Sequence, residues 1–75
     1  MKVYGQTQDD ESEMALLTES MFVAEPQTLR ELASFFYRCA DSIEEVGEAW
    51  EHEEFECIDV ECPKITVFNP SLLDE

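Results

Sequence analysis

Basic side chains are scarce: four Lys and Arg stand against 19 Asp and Glu in 75 residues, a formal charge of −15 with the one histidine neutral. A nucleic-acid surface needs clustered cations to displace phosphate counterions. Lys2, Arg30, Arg38 and Lys64 are too few and too scattered for that, and an anionic membrane repels the chain for the same reason. Glycine is rarer still. With Gly5 and Gly47 alone, no phosphate-cradling loop is available, so nucleotide chemistry is not expected. No stretch approaches the roughly 20 apolar residues of a membrane-spanning helix. The opening Met1-Lys2-Val3-Tyr4-Gly5-Gln6 carries no apolar run of the kind an export signal has. The expectation is a soluble, cytoplasmic protein.

Residues for chemistry are equally thin. Cys39, Cys57 and Cys62 form an odd set, which suits reduced thiols in a cytosol better than a disulfide framework. The spacing Cys57-x4-Cys62 is wider than a zinc knuckle, and only His52 could join as a strong further ligand, so no metal is expected. Asp9-Asp10-Glu11-x-Glu13 lacks the alternating ligands and central glycine of a calcium loop. His52 with a cysteine could make a nucleophile and base, but a lone histidine among charges reads as an exposed side chain. Carboxylate pairs are too numerous for any one to be singled out as an acid and base. No catalytic residue and no cofactor are therefore assigned, and the chain is read as a non-enzyme.

What the chain has is acid and apolar side chains. Hydrophobic residues make up 44%, including five Phe, two Tyr and one Trp, which is too apolar for a disordered chain. The length allows one domain, residues 1–75, burying only roughly 60% of its unfolded surface. Val3 and Tyr4 open a short strand, closed by Gly5 and by an acidic loop over residues 6–13. Met21-Phe22-Val23 before Glu25-Pro26 reads as a strand reaching its end, because the residue before a proline is pushed out of helical geometry. Pro26 suits a first helical position, and Glu25 can offer an acceptor to the exposed amides.

The helix is predicted over Pro26 to Val46. Leu29, Leu32, Ala33, Phe36, Cys39, Ala40 and Ile43 recur at steps of three and four and make one apolar stripe. Gly47 can take the positive-φ conformation that ends helices. At 1.5 Å per residue the helix runs about 30 Å. Phe35 flanks the stripe and is expected at a sheet edge or in a partner contact. Phe55 to Val60 alternates as a strand, with Ile58 and Val60 on one face and Phe55 and Cys57 on the other. Pro63 interrupts it. Lys64 to Phe68 is the last strand, ended by Asn69-Pro70. The expected fold class is α+β: a small antiparallel sheet of about four strands, in the order β-β-α-β-β, with the helix packed on one face.

Acid concentrates around the helix end. Glu44 and Glu45 oppose the helix dipole, and Glu48, Glu51, Glu53, Glu54 and Glu56 surround Trp50, His52 and Phe55. A solvated face that maintains solubility is one explanation. Solubility alone would not demand so much, however, since a net charge of this size repels itself within a compact fold. The other explanation is a surface complementary to a strongly basic partner, such as a nuclease groove, with carboxylates where phosphates would lie and Trp50 as an aromatic anchor.

Three stretches carry a resemblance. They are Phe22-Val23-Ala24-Glu25-Pro26-Gln27-Thr28-Leu29-Arg30-Glu31-Leu32-Ala33-Ser34-Phe35-Phe36, then Trp50-Glu51-His52-Glu53-Glu54-Phe55, then Ile65-Thr66-Val67-Phe68-Asn69-Pro70. In this order the chain after residue 20 resembles the Imm32-like group of bacterial immunity proteins from polymorphic toxin systems. Glu54 stands where the family pattern has a second histidine. The resemblance implies a protein that neutralises a cognate toxin by binding it, without catalysis. The expected contact surface is Glu44, Glu45, Glu48, Trp50, Glu51, His52, Glu53 and Glu54, facing a basic toxin domain. Two alternatives stand beside it. One is a small homo-oligomer with Phe35 or Trp50 buried between copies; the other is an acidic DNA mimic that blocks a DNA-binding protein.

Overall fold

The computed structural model describes residues 1–7, 14–57 and 62–72. Element order is β1 (Val3–Gly5), β2 (Ala15–Leu17), α1 (Pro26–Val46), a 3-10 turn (Gly47–Ala49), β3 (His52–Glu54), β4 (Thr66–Phe68) and a final 3-10 turn (Pro70–Leu72). Among the described residues the class is α+β with one helix. The described strands do not join in one sheet: β1 pairs antiparallel with β2, and β3 with β4, giving two two-stranded sheets.

The helix has the predicted limits, and the residues at its ends show why. Pro26 opens it, since its missing N–H would have had no helical partner anyway. Glu25 is extended (φ −70°, ψ 156°) and caps with its backbone carbonyl, which accepts from Leu29 N–H at 3.1 Å. Its side chain makes no capping bond, contrary to expectation. At the other end Gly47 takes φ 57° and ψ −129°, a region in which a Cβ is strained, and its N–H donates to the Ile43 carbonyl. Trp50 N–H then closes the following turn on the Gly47 carbonyl at 3.1 Å.

Burial rotates the helix relative to the expected stripe. Leu32, Phe35 and Cys39 are buried, whereas Leu29, Ala33, Phe36 and Ala40 are exposed. Phe35, expected at an edge or an interface, is only 1% exposed and packs on Phe55 with ring centroids 5.4 Å apart. Trp50, Cys57, Cys62, Ile65 and Val67 close around this core. The apolar residues of α1 occupy two adjacent flanks, and the narrow β3–β4 ribbon covers one of them.

Two strands lie elsewhere than expected. Met21 to Val23 has no regular structure and is exposed; the second strand is Ala15–Leu17, paired with β1 in the register Val3↔Leu17 and Gly5↔Ala15. The third strand ends at Glu54 rather than beginning at Phe55. Ile58 and Val60 of that expected strand, and residues 8–13 of the expected acidic loop, lie outside the described residues.

The β3–β4 ribbon sets up the site. Asn69 N–H donates to the Glu51 carbonyl at 2.9 Å and Phe55 N–H to the Ile65 carbonyl at 2.8 Å, so pairing runs one bond beyond each end of the strands. With the register Glu53↔Val67, the hydrogen-bonded pairs are 51–69, 53–67 and 55–65. Glu53, Phe55, Ile65 and Val67 turn toward α1 and are buried or half-buried; His52, Glu54, Thr66 and Phe68 face water.

Candidate functional site

The eight residues singled out by the sequence fall on three consecutive pieces of chain: the last turn of α1, the 3-10 turn after it, and β3 with its approach. Six are exposed; Trp50 and Glu53 are half-buried. Trp50 is half-buried and packs against the core. Glu44 and Glu45 are adjacent on a helix and leave it about 100° apart. Glu45 therefore lies seven residues on from Arg38 and on its flank, while Glu44 points to the other side.

Carboxylates near β3 find local cations. Arg38 Nη2 donates to Glu53 Oε2 at 2.8 Å, and Lys64 Nζ lies 3.5 Å from Glu54 Oε1. The bond to Glu53 raises the Arg38 pKa further above its ordinary value. His52 Nδ1 is 2.9 Å from Glu51 Oε1, and its ring stacks on Phe68 with centroids 5.5 Å apart and planes 2° from parallel. Glu44, Glu45 and Glu48 are exposed and have no ion-pair partner among the described residues. Burial, with the Glu53 carboxylate adding to it, pushes the Cys39 thiol up, so Cys39 stays a neutral part of the core. None of the three cysteines is in a disulfide.

A groove of about 600 Å³ runs between the Arg38 flank of α1 and β3. Its helix wall is Glu31, Ser34, Phe35 and Arg38; its strand wall is Glu53, Glu54, Phe55 and Glu56. Arg38 lies over the Phe35 ring at 5.7 Å. A smaller apolar cleft of about 110 Å³ lies on another side of the core, among Met21, Phe22, Leu29, Leu32, Phe55 and Ile65. Among the described residues, no group of three His, Cys, Asp or Glu side chains is arranged to hold a metal ion. No described helix is long and apolar enough to cross a membrane.

Sequence reasoning missed Glu31, Ser34 and Arg38 as neighbours of the acidic segment, and left Glu56, which it placed in that segment, off the contact surface. Part of that was available, because Glu31 and Arg38 are seven apart and share a helix flank. The pairing of Arg38 with Glu53 was not, since it depends on where β3 docks. Asn69 was read only as a strand terminator. It is 1% exposed, and its Nδ2 donates to the carbonyls of Gly47 at 3.0 Å and Trp50 at 2.8 Å. That side chain fixes the acidic turn against the end of β4.

No family model matches the chain, and no curated protein or solved structure matches it.

Proposed function

We propose that the protein is a non-enzymatic binding module whose acidic surface docks on a basic protein partner, as an immunity protein does when it occludes the active site or substrate surface of a cognate toxin. The observation that carries this reading is uncompensated charge. Among the described residues the cations that reach the site, Arg38 and Lys64, are taken up by carboxylates of β3, while Glu44, Glu45 and Glu48 are exposed and have no ion-pair partner, on a chain of net charge −15. At a helix C-terminus such carboxylates are repelled by the dipole and by each other, so local stability gives no reason for them. A basic partner would reverse the sign of that energy. Unbridged thiols suit a cytoplasmic setting.

The test begins with capture. The immobilised protein is exposed to host lysate at low and at high salt, the retained proteins are identified by mass spectrometry, and affinity is then measured for the E48Q/E51Q/E53Q/E54Q variant. One dominant basic protein that is lost as salt rises, with weaker binding and a shallower salt slope for the variant, is the expected result. Unchanged affinity in the variant overturns the reading.

A second reading, self-association, is favoured by exposed apolar side chains, though not by those expected. Phe35 is spent in the chain's own core, whereas Leu29 (44% exposed), Phe36 (43%) and Tyr37 (76%) lie open on α1. Sedimentation at several concentrations separates the two readings, because a basic-partner module needs no second copy.

A further inference from the structure

We infer that the open edge of β3 receives an extended, basic segment of the partner by strand addition in the groove between β3 and α1. This rests on the basic-partner reading above and assigns it a binding mode. The first observation is backbone geometry. Among the described residues β3 has a strand neighbour on one side only. His52 and Glu54 occupy the non-hydrogen-bonded pairs with Phe68 and Thr66, so their N–H and C=O groups are directed away from β4, toward the vacant side. Such an edge offers main-chain bonds to another extended chain.

The second observation is the groove itself. Residues 53–56 form its strand wall and no residue of β4 lines it, so the cavity lies along the vacant side of β3. Among the described residues that line it, the carboxylates Glu31, Glu53, Glu54 and Glu56 stand against one cation, Arg38, a formal balance of −3 (1 minus 4). Charge selects the occupant. A second copy of β3 laid alongside would place glutamates opposite glutamates, which is destabilising in a strand pair. A segment alternating Lys or Arg with β-branched residues would set cations against these carboxylates and present its apolar face toward Phe35 and Phe55. The partner's basic segment thus takes the place that a third strand of this sheet would fill.

The experiment uses the whole protein and a synthetic probe, a short peptide alternating Lys and Val, beside the same peptide N-methylated at both the Lys and the Val residues, so that no backbone N–H remains on either edge whichever way the peptide runs. N-methylation removes the N–H groups needed for strand addition and leaves the charge intact. The expected result is salt-sensitive binding of the unmethylated peptide, with affinity about tenfold lower after methylation, since each lost main-chain bond is worth about a factor of two to ten and more than one is lost. Binding of the unmethylated peptide should slow amide hydrogen exchange at His52 and Glu54, the outward amides, more than at Glu53 and Phe55. A pair of protein variants reports independently. Both E54P and E54Q remove the Glu54 charge, but only E54P removes the outward N–H, at a place where an edge strand tolerates proline. E54P should bind the peptide more weakly than E54Q. Equal affinity for both peptides overturns strand addition and leaves the basic-partner reading standing. Binding of neither peptide at low salt overturns both.

Discussion

The carboxamide of Asn69 donates to two carbonyls of the turn that follows α1 and accepts from Ser71 N–H at 3.1 Å and Ser71 Oγ at 2.9 Å. Its backbone N–H completes the set on Glu51. No other common side chain supplies a two-proton donor and a carbonyl acceptor on so short a stem. Asn69→Asp keeps the shape and replaces the donor with an oxygen facing two carbonyls. We expect a loss of about 2–4 kcal/mol of stability, read as a lower urea midpoint with an unchanged slope. A midpoint equal to that of the parent would mean that the turn is not held by this side chain. In the sequence, Asn69-Pro70 announced a strand end and nothing more, because the carbonyls it serves lie 22 and 19 residues away.

At the scale of elements, α1 was legible in extent and illegible in orientation. Pro26 and Gly47 act on their own backbone, one by lacking an N–H and the other by tolerating φ 57°, so the helix limits needed no knowledge of the fold. Orientation depends on what covers the helix. The flank Leu29, Ala33, Phe36, Ala40 and the flank Leu32, Phe35, Cys39 are both apolar at helical spacing, and only docking of Phe55 chooses between them. Phe35→Ala should therefore cost about 3–5 kcal/mol, and Phe36→Ala about 1 kcal/mol or less, in equilibrium denaturation. The reverse order would show that the helix packs by its other flank. The strands were less legible than the helix. Three-residue strands carry too little alternation to locate from composition, and Met21-Phe22-Val23 is more β-prone than Ala15-Leu16-Leu17, which is the one that pairs.

For the molecule as a whole, charge is the governing term. Within the described chain only a few carboxylates meet a cation, and the pairs Arg38–Glu53 and Lys64–Glu54 are themselves exposed. The remaining repulsion is present in the folded state and weaker in the expanded one, so it lowers stability. Salt shortens its range, from a Debye length of about 10 Å at 0.1 M to about 3 Å at 1 M. We expect Tm to rise by about 4–8 °C over that range in sodium chloride, corresponding to roughly 1 kcal/mol for a domain of this size. Potassium chloride should give the same rise, which separates screening from the salting-out that sulfate would add. A Tm that falls with chloride would mean that local ion pairs outweigh the net repulsion.

The sequence by itself determined the sign and size of the charge, the α+β class and the helix from Pro26 to Val46. Each of these depends on composition or on residues within a few positions of one another. Tertiary structure decided which flank of α1 is buried, that the described strands form two ribbons, and that Arg38 reaches Glu53 beside a groove along β3. Those outcomes are set by contacts between segments far apart in the chain. Local periodicity leaves such contacts degenerate, because several apolar faces compete for the same small sheet and packing can satisfy only one of them.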